Sequence, residues 1–157
     1  MEETKEAPEA GGLSLLRSLK IVDEAVQKGR ETGCEPLAVA VLDSGGHLKA
    51  FAREDGAGIL RPQIAFGKAW GALGMGVGSR ALAKRAQLGG GHLAFFDALS
   101  SMSGGRVVPA PGGVLVRDGK GEIIGAVGVT GDVSEKDEAC AIAGIEAVGL
   151  TADPGEG

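Results

Sequence analysis

The sequence predicts an α+β protein built on an antiparallel sheet, and three observations carry that reading. Apolar runs are joined in sequence by short glycine-containing turns, which is hairpin connectivity rather than the strand–helix alternation of a parallel sheet. Helical stripes of apolar residues lie before the first hairpin, between the two strand regions and after the last strand. The segment 122–130 is apolar or small on both faces, which marks a central strand covered on both sides.

Taken in order, the first helix is expected from about 13 to 31, where Leu15, Leu19, Val22 and Val26 recur at helical spacing and Thr32-Gly33 stops the run. LAVAVLD (37–43) and HLKAFAR, separated by Ser44-Gly45-Gly46, read as a hairpin with Leu48, Ala50 and Ala52 on one face. Arg61-Pro62 opens a second helix, since proline is tolerated in a first turn, and it runs to about Leu73 before the glycines of GMGVG. Ser79 is expected to cap a short helix through Gln87, and HLAFFDAL to form another. RVVP, GVLVRD and EIIGAVGV supply three more strands, five in all, the last two joined by Asp118-Gly119-Lys120-Gly121. The final helix starts at Ser134, with Asp137 as a weak capping-box acid and Ala141, Ile142, Ile145 and Val148 turned inward. Within 122–130, Ile123, Gly125, Val127 and Val129 share one face, and Ile124, Ala126, Gly128 and Thr130 the other. Gly125 and Gly128 thus leave room, one on each face, for a packed helix or a ligand.

A chain of 157 residues suits one domain. Its only uniformly polar stretch is MEETKEAPEAGG, so 1–12 is read as a disordered segment, 13–150 as a single domain and 151–157 as a tail. A net charge of −5, with no Lys/Arg cluster interleaved with aromatic residues, argues against a nucleic-acid partner. Cys34 and Cys140 lie far apart with no second Cys or His at metal-ligand spacing, so they are expected to be buried free thiols rather than a disulfide or a zinc site. No metal site is expected. The start of the chain is acidic where an export signal would be basic, and no apolar run reaches the roughly 18 residues of a membrane span. The expectation is a cytoplasmic protein with no membrane partner.

Candidate site residues come from groups that sit where bland chemistry does not place them. Lys68 lies one helical turn from Ile64 and one from Ala72, on the apolar face; a desolvated amine there is a candidate general base or anion clamp, and the alternative is a lysine snorkelling at a subunit interface. Asp55 is its candidate acid/base partner, and Arg53 and Arg61 flank it as carboxylate or phosphate binders. Gly104, Gly105, Gly112 and Gly113 bracket RVVPAP and are read as backbone that approaches a ligand closely, with N–H groups available to an anion. No phosphate-loop fingerprint is present, and the acids Asp132, Glu135 and Asp137 at the last helix start are read as complementing its dipole. The expected pocket is centred on Lys68 and the 104–113 loop.

The strings AVAVLDSGGHLKAFAREDGA, IAFGKAWGA, SGGRVVPAPGGVLVRDGKGEIIGAVGVTG and EKDEACAIAGI resemble the GlcG/HbpS-like family (haem-degrading, DUF336), also seen as the C-terminal part of PduO-type proteins, over about residues 13–149. The resemblance implies profilin-like α/β/α layers around a five-stranded antiparallel sheet, and homo-oligomers from dimers to octamers. It also implies a small-molecule ligand, haem or another tetrapyrrole such as a corrinoid. Haem iron takes an axial His, Cys, Met or Tyr; the chain has no tyrosine and its first helix no histidine, which leaves His92, beside Phe95 and Phe96, as the first candidate. His47, just after a hairpin turn, reads as a solvated surface residue, and Met75 is a third candidate. An aromatic content of 3% counts against a porphyrin site. The alternatives are a cofactor-independent isomerase, hydratase or lyase acting on an anionic metabolite through Lys68 and Asp55, and an accessory protein of a metabolic operon.

Overall fold

The computed structural model describes residues 12–156. Its elements are α1 (Leu15–Glu31), β1 (Ala38–Asp43), β2 (Leu48–Arg53), α2 (Arg61–Met75), α3 (Ser79–Gln87), α4 (Gly91–Met102), β3 (Gly113–Arg117), β4 (Ile123–Thr130), α5 (Ser134–Ala147) and β5 (Thr151–Asp153). The strands form one antiparallel sheet in the order β2-β1-β4-β3-β5. The α+β class and the five-stranded antiparallel sheet are as expected. The disordered segment expected at 1–12 lies, except for Gly12, outside the described residues.

The sheet is covered on both faces, and each face follows from strand alternation. Val39, Val41, Val114, Val116, Val127 and Val129 point to the side of α1 and α5 and pack with Ile21, Ala25, Leu37, Ala141 and Ile145. Leu42, Leu115 and Ala126 point to the opposite side, against Ala69 and Ala72 of α2. There α2 sits almost on the backbone. A Cβ on Gly128 would collide with the Ala65 carbonyl, and one on Gly113 with the Lys68 carbonyl. The room left by Gly125 and Gly128 is therefore filled by protein: Leu13 covers Gly125 and α2 covers Gly128.

Five local readings change. In β4 a register shift opposite Val116/Arg117 breaks the strict alternation, so Ile124 packs on the side of Val127 and Val129 and Ile123 on the side of Ala126, the reverse of the expected faces. RVVP is not a strand: Val108 and Val107 cross the outer side of α2 over Gly67 and Gly71, with the Val108 N–H donating to the Gly67 carbonyl at 3.3 Å. Pro109 and Pro111 have no amide proton to give a ladder, which suits this segment to crossing a helix rather than pairing. The fifth strand is instead Thr151–Asp153, paired to Leu115–Arg117, where a tail was expected. In α1, Leu15 and Leu19 are 55% and 52% exposed, and the buried stripe is Ser18, Ile21, Val22, Ala25 and Gly29. Gly144 of α5 sits against the Ile21 carbonyl at 2.7 Å from its would-be Cβ, so the close α1–α5 crossing sets the rotation of α1. Finally, β2 carries an extra residue opposite Val41/Leu42, so Leu48 pairs with Leu42 and turns to the α2 side, away from Ala50 and Ala52.

Both cysteines are free and buried, as expected, and their Sγ atoms meet at 4.0 Å between the α1–β1 connection and α5. Burial, with the neighbouring thiol, pushes Cys140 up to about 12, so it stays protonated and unreactive at neutral pH.

The tight seat of α2 makes a checkable demand. Gly128→Ala should lower stability by at least about 2 kcal/mol because neither backbone can yield cheaply, whereas Gly119→Ala, in an open turn, should stay within about 0.5 kcal/mol of the wild type. Urea-unfolding midpoints of the two variants measure the contrast.

Candidate ligand-binding site

Three chain segments that touch in the fold enclose an apolar cavity of about 510 Å³ on the α2 side of the sheet. Ala40, Leu48 and Phe51 from the β1–β2 hairpin form one wall. Pro62, Gln63 and Phe66, in the first turns of α2, form the second. Gly104, Gly105 and Arg106, just after α4, form the third. Leu48 reaches this wall because of the β2 bulge, and Phe51 because it pairs with Ala40, whose side chain points to α2. Leu48 is 55% and Phe51 40% exposed, a cost in apolar surface left in water that an apolar occupant would remove.

Among the described residues Arg106 is the one charged group that lines the cavity, and it is held in place by the protein itself. Its guanidinium stacks over Trp70 with the carbon 4.5 Å from the ring centroid. Its Nε donates to the Ser103 carbonyl at 2.7 Å, and its backbone N–H to Ser103 Oγ at 3.2 Å. Ser103 is itself buried. Stacking and the Nε bond consume one face and one edge of the guanidinium. Its two terminal NH₂ groups have no protein partner among the described residues, which leaves a fork suited to a carboxylate. Gly104 and Gly105, at φ +69° and +79°, let the chain turn sharply off α4. Their N–H groups donate to the Ser101 and Ser100 carbonyls, so they are not presented to an anion as expected.

Lys68 is in a different place. It is 2% exposed, and its Nζ donates to the Val129 carbonyl at 3.0 Å and to Asp137 Oδ2 at 3.4 Å. Asp137, 1% exposed, accepts through Oδ1 from the Asp132 N–H. The carboxylate that meets Lys68 is thus Asp137; Asp55 lies exposed in the turn after β2, and Arg53 donates to the Ala57 carbonyl of that turn. No contact among the described residues joins Asp55 or Arg53 to Lys68. Arg61 comes closer, donating to Thr130 Oγ1 at 2.8 Å and adding a positive field that helps lower Lys68. Gly112 and Gly113 are buried against Lys68, with the Gly113 N–H donating to Ser79 Oγ. Ser79 is therefore a pin for the 110–113 loop and not a helix cap; its hydroxyl also donates to the Ala110 carbonyl at 2.6 Å. The two ends of the 104–113 loop serve different places: 104–106 line the cavity, and 112–113 back the buried ion pair.

Burial is the leading influence on both members of that pair. It lowers Lys68 and raises Asp137, and each charge only partly restores the other. An amine so enclosed has no face toward the cavity.

The family model described as haem degrading protein HbpS-like matches residues 13–146. The chain belongs to the HbpS-like family. Among solved structures, this HbpS-like chain is similar to a PduOC–heme complex (26% identity, TM-score 0.78, covering 88% of this chain and 96% of that one). It is similar to HbpS at 28% identity and TM-score 0.73, over 94% of this chain and 97% of that one. The fold is also that of the Klebsiella pneumoniae protein ORFY, of family model DUF336, at 22% identity and TM-score 0.79, over 94% and 98% of the two chains. No curated protein matches the sequence.

The histidines of this HbpS-like chain lie on its surface. His92 is exposed in the first turn of α4, at the end away from the cavity, and His47 is an exposed turn residue 3.3 Å from Asp43. Sequence reasoning missed Arg106, Phe51, Phe66 and Leu48, and took Asp137 as a dipole residue. A signal for Asp137 was present: it falls in phase with Cys140, Ala141, Gly144 and Ile145 on the buried stripe of α5. An acid on an apolar stripe needs a cationic partner, and Lys68 breaks pattern in the same way; Glu138, buried on the same helix, pairs instead with the part-exposed Arg80 of α3.

Lys68→Met leaves Asp137 buried without its cation and should cost about 3–5 kcal/mol at pH 7. The deficit should shrink as the pH is lowered toward the raised titration range of Asp137. There the folded state holds a proton that the unfolded state, titrating near 3.8, has released, so acid favours the folded form of the variant. Urea midpoints of wild type and variant across that range give both the size and the sign.

Proposed function

We propose that this protein binds a small, flat, apolar molecule carrying carboxylates, of the tetrapyrrole class with haem first, in the cavity between the β1–β2 hairpin, the start of α2 and the 104–106 loop. The observation that carries the reading is an apolar cavity of about 510 Å³ with one pre-positioned cation, Arg106, at its rim. Ligand sites are mostly apolar with a few placed polar groups, and this one has that composition. The HbpS-like family description and the similarity to a PduOC–heme complex support haem over other flat acids. The residues fit the organic part of such a ligand: Phe51, Phe66 and Leu48 cover an apolar face, and Arg106 meets a carboxylate.

The alternative of a small enzyme using Lys68 as base has less support, because its amine is bonded inward to Val129 and Asp137. A second, shallower groove of about 590 Å³ beside Asp132, Ser134 and Glu135 is half polar and acidic, and suits such a ligand less. Cytoplasmic residence belongs to the same proposal; no helix among the described residues is long and apolar enough to cross a membrane.

Trp70 is the only tryptophan, and Arg106 lies on it, so its fluorescence reports on the cavity directly. Haemin should quench Trp70 saturably at about one equivalent. Arg106→Met should weaken binding about tenfold to hundredfold, the worth of one charge-assisted hydrogen-bonded pair. Equal affinity in the variant, or no saturable quenching in the wild type, overturns the assignment.

Self-association, implied by the family, is proposed through the outer face of α4, where Leu93 and Phe95 are each 49% and Met102 is 78% exposed and only Phe96 is buried. Sedimentation should show an oligomer that Phe95→Glu converts to a smaller species.

A further inference from the structure

We infer that the cavity recognises its ligand through the apolar face and a carboxylate and not through iron, so that it takes metal-free and iron-containing macrocycles alike. The inference rests on the assignment of the cavity as the ligand site.

Haem iron is held by nitrogen of His, sulfur of Cys or Met, or oxygen of Tyr. Among the described residues none of these lines the cavity, whose polar side chains are Gln63 and Arg106. The chain has no tyrosine. Cys34 and Cys140 are buried in the core on the α1–α5 side of the sheet, across the strands from the cavity. His92 stands at the start of α4 and the cavity loop at its end, roughly 15 Å apart at the rise of about 1.5 Å per residue. Met75 lies at the far end of α2 from Pro62 and Phe66, roughly 13 Å from Phe66 by the same measure. His47 points from its turn into solvent, with a side chain 81% exposed. Met102, next to Ser103 and 78% exposed, is the thioether nearest along the chain to the cavity loop, and it does not line the cavity.

What the cavity does offer is independent of the metal. Leu48, Phe51 and Phe66 lose water-exposed surface against any flat apolar ring, and this gain is proportional to area. Arg106 presents two NH₂ groups in a fixed plane, which is the geometry that pairs with a carboxylate in bidentate fashion. Replacing iron by two protons leaves both interactions in place. Esterifying the carboxylates keeps the apolar body and removes the charge that Arg106 takes.

The test compares haemin, metal-free protoporphyrin IX and its dimethyl ester against the full chain and its Arg106→Met variant, read by Trp70 quenching and by the absorbance of the bound pigment. The expected result is that haemin and protoporphyrin bind within about threefold of each other. The ester should bind at least about tenfold more weakly to the wild type, and Arg106→Met should bind acid and ester alike. Met102→Leu and His92→Ala should leave the haemin Soret band unchanged. If haemin binds and protoporphyrin binds more than about tenfold more weakly, or if either ligand variant shifts the Soret band, iron is ligated and the inference is overturned while the cavity assignment stands. If neither pigment quenches Trp70, the cavity assignment itself falls and the inference with it. Matching unfolding midpoints for wild type and Arg106→Met establish that any loss is local.

Discussion

The close seat of α2 on the sheet is the constraint on which the rest of this structure depends. Gly128 of β4 and Gly113 of β3 lack the Cβ that would hold the helix off, and Ala65, Ala69 and Ala72 present small side chains to the strands. On its other side the helix is thinned again by Gly67 and Gly71, which let Val108 and Val107 pass over it. A helix confined in this way has little freedom to rotate or slide, because interiors are close-packed and yield only in discrete steps. Its register therefore sets where Lys68 and Phe66 must go.

Lys68 falls where the ends of β3 and β4 meet α5, and there it has no route to water. The ion pair with Asp137 satisfies it and ties the second helix to the last across the end of the sheet. Pairs of this kind are poor sources of net stability, since both charges are stripped of water, but they penalise arrangements that would leave either one alone. Phe66 falls at the other end, beside the hairpin, and with Leu48 and Phe51 leaves a cavity that the protein does not fill. Arg106 closes that cavity from a loop whose position depends on α4 above and on Val107 and Val108 below. A polar interior contact and an open apolar cavity are thus two consequences of one helix placement.

Much of the architecture was legible along the chain. The inward positions Ala141, Ile142, Ile145 and Val148 of α5, the two hairpins and the small-residue character of 122–130 reflect local periodicity and turn chemistry, which act over a few residues and survive without knowledge of the partner. Legibility failed where a distant contact overrode the local pattern. The stripe of α1 was misplaced because Gly144 lets α5 approach at Ile21 and Ala25. RVVP has strand-like residues but is captured by the glycines of α2. β5 is three residues long and exists only because β3 offers it an edge. The place of Lys68 on an apolar face was legible, but its full burial and its partner were not, because a snorkelling lysine gives the same pattern and Asp55 and Asp137 look alike until the chain is folded.

By itself the sequence determined the class of the protein, the hairpins, the central strand and the place of Lys68 on an apolar helix face, because each is encoded in spacing and composition over a short span. It also carried the family, through strings spread over most of the chain. Only the tertiary structure decided which carboxylate faces Lys68, which side of β2 Leu48 occupies and which arginine guards the cavity. Those choices hang on a one-residue bulge and on the approach of residues far apart along the chain, such as Trp70 and Arg106 or Lys68 and Asp137. Loop closure costs free energy that grows only slowly with separation, so the chain can make such long-range pairings readily. Local pattern carries no record of which of them it makes.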